Sequence, residues 1–239
     1  MDLTLETIAD FLDDYQSFVE SERQAEFLQF RAGFERIRGP FERLQRQEYQ
    51  RQHTQAPQFN IFHLMGIARR EEKTHSAFLA HLLNPKAAHG QGVLFLKAFL
   101  KMCAQAHPSF PSFDDNDLGI RWQVWIERSV PQGRLDIVVE SAELGYLFVI
   151  ENKVDANEQA DQLRRYADWM QSREELFPIQ ALIFLTPRGD SAHSHGGAAY
   201  FPLSYCRNVY RWLTNTLDKI AAPTVRETVR QYAALIETL

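Results

Sequence analysis

Cysteine is scarce in this sequence. Cys103 and Cys206 are the only two, and neither belongs to a C-x-x-C pair. This argues against a disulfide scaffold and against a zinc site built from cysteines. No apolar run approaches the roughly 18 residues that a membrane-spanning helix needs, and no charged-then-apolar leader opens the chain. We therefore expect a soluble, cytoplasmic protein with no membrane partner.

An excess of positive charge is also missing, since the net charge is −5 at pH 7. This argues against a protein that coats DNA nonspecifically, because such binding depends on many phosphate contacts. It is compatible with a nuclease, which needs local acid for a metal and only a local basic stripe for nucleic acid. The absence of G-x-x-x-x-G-K-[ST] and of G-x-S-x-G disfavours an ATPase and a serine hydrolase.

The pattern of charge and hydrophobicity divides the chain into a helical extension, residues 1–52, and one folded domain, residues 59–239. In the extension, apolar residues recur at helical spacing until Gly39-Pro40 interrupts them. We expect one or two amphipathic helices packed on the core. A dimer-forming or partner-binding arm is the alternative.

In the domain, the hydrophobic period predicts an α/β fold with a mixed central β-sheet flanked by helices. An antiparallel three-strand meander is predicted over 121–152 and a buried strand over 180–187. Pro202 makes a later segment an edge strand. Helices are predicted at 71–84, 93–106 and 157–171.

Two carboxylates and a lysine stand on adjacent predicted strands. Asp136 interrupts the apolar run RLDIVVES, and Glu151 lies near the end of FVIENK. A buried carboxylate is costly unless it is paired or binds metal. Lys153 should point to the same face as Glu151, and the backbone carbonyl of Asn152 adds a hard oxygen ligand. This set suits Mg²⁺ or Mn²⁺; a salt-bridged strand end is the alternative.

The helix after the meander carries candidate substrate-binding residues. Gln162 and Tyr166 share one face, where Gln162 would bind a water or phosphate oxygen and Tyr166 would bind phosphate or stack on a base. Arg165 adds positive charge. The alternative is an ordinary half-exposed helix pair. Asp155 and Glu158 predict an acidic capping box at the start of this helix.

Three further residues are weaker candidates. Glu72 and His75 continue the apolar stripe of the helix at 71–84, which indicates either a site at its inner end, with Glu72 as a further metal ligand, or a solvated helix start. Glu127, near the end of the first meander strand, is either an acid close to the metal or part of an edge salt bridge.

The D…E-x-K pattern of Asp136, Glu151 and Lys153 resembles the PD-(D/E)XK nuclease superfamily, and Gln162 to Tyr166 resembles the Q-x-x-x-Y of its exonuclease-like branches. From about residue 59 onward the chain resembles an uncharacterised bacterial subfamily, through R-L-D-I, I-E-N-K, Q-L-x-x-Y and a late Q-Y at Gln231-Tyr232. Arg134-Leu135 replaces the Pro that often precedes the aspartate.

This resemblance implies a restriction-endonuclease-like core and a Mg²⁺- or Mn²⁺-dependent nuclease that hydrolyses phosphodiester bonds. DNA is expected before RNA, in a defence or repair context. The alternative is a catalytically inactive nucleic-acid-binding or regulatory module with the same fold. Retention of Asp, Glu and Lys together weighs against that alternative. The N-terminal helices would mediate a homo-oligomer or a complex with a partner.

Overall fold

The computed structural model describes residues 5–113, 121–155, 158–193 and 195–239. The chain divides into two compact units, Met1–Phe59 and Asn60–Leu239. Across these described ranges, the helices are too short or too polar to cross a membrane.

The first unit contains one 51-residue helix, α1, Leu5–Gln55. The predicted interruption at Gly39-Pro40 is wrong, because the helix continues through Pro40. A proline costs about 3 kcal/mol inside a helix, and the exposed ion pair of 3.5 Å between Arg38 and Glu42 across this turn offsets little of that cost. The apolar side chains of α1 are exposed, Phe30 by 73% and Tyr49 by 72%.

The second unit is built on a mixed five-stranded sheet in the order β1-β2-β3-β4-β5. The first three strands form the predicted antiparallel meander, and β4 and β5 run parallel to β3. Pro202 lies in the edge strand, as predicted. The strands are β1 Gln123–Val130, β2 Gly133–Ser141, β3 Tyr146–Asn152, β4 Ile179–Thr186 and β5 Phe201–Ser204.

Helices cover both faces of this sheet. Side chains of α3, α4, α6 and α7 pack on one face, and α5 packs on the other. All seven residues of β3 are therefore buried, as expected for a strand covered on both sides. The helices are α2 Ile61–Leu64, a π-helix Glu71–Ser76, α3 Ala77–Leu83, α4 Leu94–Ala106, α5 Gln162–Gln171, a π-helix Tyr205–Val209, α6 Tyr210–Thr214, a 3₁₀-helix Leu217–Lys219 and α7 Pro223–Ile236.

The helix predicted at 157–171 begins later than expected, at Gln162, after Asp161 in the left-handed region with φ +52°; residue 157 lies outside the described residues. The predicted capping box is wrong. Asp155 instead accepts a hydrogen bond of 2.8 Å from Arg69 Nε, and Glu158 accepts one of 2.9 Å from the backbone N–H of His193. Partners distant in sequence have outcompeted the local capping signal.

We expect Phe148→Ala to destabilise the second unit by about 3–5 kcal/mol, because the ring is buried and its loss leaves a cavity. The ring centroids of Phe110 and Trp122 lie 5.6 and 6.0 Å from that of Phe148. Urea denaturation followed by tryptophan fluorescence measures this, since all four tryptophans lie beyond residue 59. Leu176→Ala, at a side chain exposed by 51%, is the control and should change the free energy of unfolding by less than about 0.5 kcal/mol. Equal effects of the two changes would contradict this packing.

Candidate active site

Strand register brings Asp136 and Glu151 together. Ile137 on β2 pairs with Ile150 on the antiparallel strand β3. Asp136 precedes Ile137 and Glu151 follows Ile150, so both point to the opposite face of the sheet, which α5 covers. Glu151 is fully buried and Asp136 is 9% exposed. The backbone N–H of Asn152 donates a 2.8 Å hydrogen bond to Asp136 Oδ2. The two carboxyl groups lie close enough to interact electrostatically.

Burial disfavours the ionised form of both carboxyl groups. It raises the pKa of Asp136 to about 6, against the opposing effects of the Asn152 N–H and the Lys153 charge. Burial raises the pKa of Glu151 to about 8, and the negative charge of Asp136 adds to that shift. A buried pair of like charges needs positive charge nearby before both groups can ionise.

Lys153 supplies one such charge. Its Nζ lies 2.7 Å from Glu151 Oε1 and 3.8 Å from an oxygen of Glu71. Burial alone would lower the pKa of Lys153, but the surrounding carboxylates outweigh burial and raise it above its ordinary value. Lys153 is therefore an ammonium at neutral pH, a hydrogen-bond donor rather than a base.

One oxygen of Glu151 lacks a hydrogen-bond partner. Oε1 accepts bonds from Lys153 and from Gln162, both at 2.7 Å, whereas the buried Oε2 accepts none. An unsatisfied carboxylate oxygen beside a second carboxylate is a good ligand for a hard cation. Within the described ranges, no group of three or more His, Cys, Asp or Glu side chains could hold a metal. A site with only two carboxylates can still hold a divalent cation, because Mg²⁺ binds through one or two carboxylates and keeps several waters.

Helix α5 fixes the orientation of Glu151. Gln162 Nε2 donates to Glu151 Oε1 and also to Tyr166 Oη at 2.9 Å. The Tyr166 hydroxyl then donates to the carbonyl of Arg134 at 2.6 Å. Because Tyr166 is only 2% exposed, the structure does not support stacking of its ring on a base. Its contacts make it a positioning residue.

A family model described as the PD-(D/E)XK nuclease superfamily matches residues 59–237. The chain belongs to this superfamily. Searches of curated proteins and of solved structures found no match. In this PD-(D/E)XK chain, the two carboxylates and the lysine of the D…E-x-K pattern converge at the ends of β2 and β3.

The first turn of the upstream helix brings Glu71, rather than Glu72, to the site. Glu71 Oε2 accepts a 2.6 Å bond from the backbone N–H of Val154, next to Lys153. Glu72 is exposed and pairs with Arg134. The segment is a π-helix, in which His75 N–H reaches back five residues to the carbonyl of Arg70. This wider turn rotates the face predicted from α-helical spacing, and π-turns are frequent at functional sites.

The other face of the sheet holds a buried polar network behind the site. The side chain of Asn152 donates to Ser76 Oγ at 2.9 Å and accepts from the Tyr205 hydroxyl at 2.8 Å. His75 bonds the Tyr232 hydroxyl at 2.9 Å and the Ala68 carbonyl at 3.0 Å. Burial lowers the pKa of His75 to about 4, so the ring is neutral at pH 7. His75 therefore lies on the opposite face from the paired carboxylates.

The remaining sequence candidates lie around the edge of the site. Glu127 has a left-handed φ of +52° and stands opposite Asp136 on β1. Burial and the charge of Asp136 raise its pKa, while Arg134 Nε lies 2.5 Å from its carboxylate. Arg165 donates to the Gln132 carbonyl at 3.0 Å, which ties α5 to the β1–β2 turn.

Because burial raises the pKa of both carboxyl groups above their ordinary 3.8 and 4.5, the metal-free fold binds protons more tightly than the unfolded chain. That stabilisation is complete below about pH 4 and is lost as pH rises through about 6 and then 8. Protons also compete with a metal for the same oxygens. We expect Mn²⁺ to raise the melting temperature more at about pH 8.5 than at about pH 5.5, measured by thermal denaturation.

Glu151→Gln is the control for this measurement, since it should remove most of the metal-dependent rise at either pH. A rise that is unaffected by Glu151→Gln would place the metal elsewhere.

Proposed function

We propose that the chain is a divalent-metal-dependent nuclease that hydrolyses phosphodiester bonds, with DNA as its preferred substrate class. The observation that carries this proposal is the Glu151 oxygen that has no hydrogen-bond partner. It lies near the Asp136 carboxyl group, and the other oxygen of the same carboxylate is 2.7 Å from the Lys153 ammonium. Superfamily membership over residues 59–237 supports the same activity. The preference for DNA rests on the resemblance of the Q-x-x-x-Y element to exonuclease-like branches.

Asp136 and Glu151 would hold Mg²⁺ or Mn²⁺, with the backbone carbonyl of Asn152 as a third oxygen. When bound, the cation lowers the pKa of water and offsets phosphate charge. Lys153 then has a separate task. As an ammonium it would donate a hydrogen bond to the attacking water, or to the negative charge that develops on the phosphate oxygens. Its contact with Glu151 keeps it beside the reacting atoms.

The surrounding residues would position these groups and admit the substrate. Gln162 holds the liganding carboxylate, and Tyr166 holds Gln162. Arg165, at the β1–β2 turn, is suited to contact the phosphate backbone. An open cleft of about 240 Å³ adjoins Lys153 between Phe184 and His193.

The cleavage test uses linear, circular and single-stranded DNA and a matched RNA, each with Mg²⁺, Mn²⁺ or EDTA. We expect metal-dependent cleavage by the wild-type chain. Asp136→Asn and Glu151→Gln should abolish it, because they remove the negative charge that holds the cation. Lys153→Ala should lower the rate by about 10²–10⁴, the typical cost of losing one such contact, and should leave Mn²⁺ affinity within a few-fold in calorimetry.

Two results would contradict this assignment. Cleavage at the wild-type rate by Lys153→Ala would exclude the proposed role of the lysine. A wild-type chain that binds nucleic acid but cuts no substrate with either metal would instead be a noncatalytic binding module.

Glu71 and Glu72 provide a matched pair of variants that tests whether the π-helical spacing brings Glu71 to the site. Glu71 anchors the backbone next to Lys153, whereas Glu72 forms an exposed ion pair. We expect Glu71→Gln to reduce the cleavage rate at saturating substrate by about tenfold or more, since a misplaced catalytic group is costly. Glu72→Gln should change it less than about threefold, because exposed ion pairs contribute little. Steady-state kinetics measures both, and the reverse order would favour the α-helical spacing.

A further inference from the structure

The long helix α1 exposes an apolar surface that water does not favour. Large side chains lie at three- and four-residue spacing in two stretches, residues 8–18 and 27–44, and their side chains are exposed by 40–73%. Clusters of exposed large apolar side chains mark interaction sites in soluble proteins. A single helix also gains most of its stability from packing an apolar face against something. These two stretches, called the apolar stripes below, therefore need a partner surface.

Charge divides the same helix into two opposite halves. Residues 7–29 contain six acidic side chains and one arginine, whereas residues 30–55 contain six arginines and three glutamates. The net charges are thus −5 and +3. In the basic half, each glutamate already pairs with an arginine of the same helix: Glu35 with Arg38, Glu42 with Arg38 and Arg46, and Glu48 with Arg51.

The helix dipole does not account for this division. It favours acids near the amino terminus only within the first turn, yet the acids continue to Glu26, about six turns into the helix. Pairing between neighbouring turns does not account for it either, because Arg23 is the one basic residue among those acids. A complementary charged surface outside the helix does account for it.

We propose that the partner surface is α1 of a second copy of this chain, paired antiparallel. In that arrangement the acidic half of each helix lies beside the basic half of the other. A parallel pair would instead place acid beside acid along 23 residues, which is unfavourable. The helix carries within itself the two surfaces that the pairing needs.

A pairing centred on residue 30 also brings several large apolar side chains of the two helices together. It places Phe11 across from Tyr49, Phe18 close to Phe41 and Phe27 close to Phe34. It places two acids across from arginines as well, Asp14 from Arg46 and Glu22 from Arg38.

The first test measures the mass of the full-length chain by light scattering over a range of concentrations. We expect the wild type to reach twice the 27.8 kDa of one chain. Arg38→Glu with Arg46→Glu should weaken association at least tenfold, whereas Arg38→Lys with Arg46→Lys should leave it close to wild type. Asp14→Lys with Glu22→Lys should also weaken it. An equimolar mixture of the two charge-reversed variants should restore the dimer, which loss of helix alone would not do.

Orientation is tested by crosslinking in a Cys206→Ser background, where Cys103 is buried. Gln16→Cys and Gln45→Cys should crosslink to each other through a short bis-maleimide when mixed, and neither should crosslink to itself. Self-crosslinking of either variant would overturn the antiparallel arrangement. A monomeric wild type, or a dimer that charge reversal leaves intact, would assign the apolar stripes to a different surface and overturn the proposal.

Discussion

The site depends on two carboxyl groups held side by side where water cannot solvate them. Asp136 and Glu151 lie on adjacent buried strands, and burial raises the pKa of each. The Asn152 N–H, the Lys153 ammonium and the Gln162 amide offset part of that cost, but Glu151 Oε2 is left without a partner. A buried charge without compensation is strongly unfavourable. The same arrangement that weakens the metal-free fold at high pH therefore favours a bound cation.

The fold holds these groups from both faces of the sheet. On one face, α5 reaches Glu151 through Gln162. On the other, Ser76 and Tyr205 fix the side chain of Asn152. Successive residues of a strand point to opposite faces, so a restraint on Asn152 also restrains the backbone that carries Glu151. The polar network behind the sheet thus positions a carboxylate that it does not touch, and His75, which bonds Tyr232, belongs to this support.

The sequence was sufficient to predict the structural features that depend on the local spacing of apolar residues. Alternating apolar residues predicted the meander and the edge strand at Pro202, and period 2 predicted that Glu151 and Lys153 would meet. Features that depend on distant partners were not predictable. Glu71 was missed because a π-turn changes the helical spacing. The capping prediction was wrong, since Asp155 pairs with Arg69, 86 residues away. Tyr166 was expected to bind phosphate or stack on a base, or else to be half-exposed, because helical spacing does not reveal that its hydroxyl bonds the carbonyl of Arg134 on β2.

The net charge of −5 is divided unequally between the two units, so it overstates the negative charge of the unit that would meet a nucleic-acid substrate. Met1–Phe59 contains eleven acidic residues and seven arginines, a net charge of −4. Asn60–Leu239 therefore carries only −1, and the family match lies almost entirely within it. Long-range repulsion of phosphate by that unit is therefore weak. Within the site, a divalent cation would neutralise the two negative charges of Asp136 and Glu151. The acidic balance that argues against a nonspecific DNA coat thus belongs mostly to Met1–Phe59 and not to the unit that carries the candidate site.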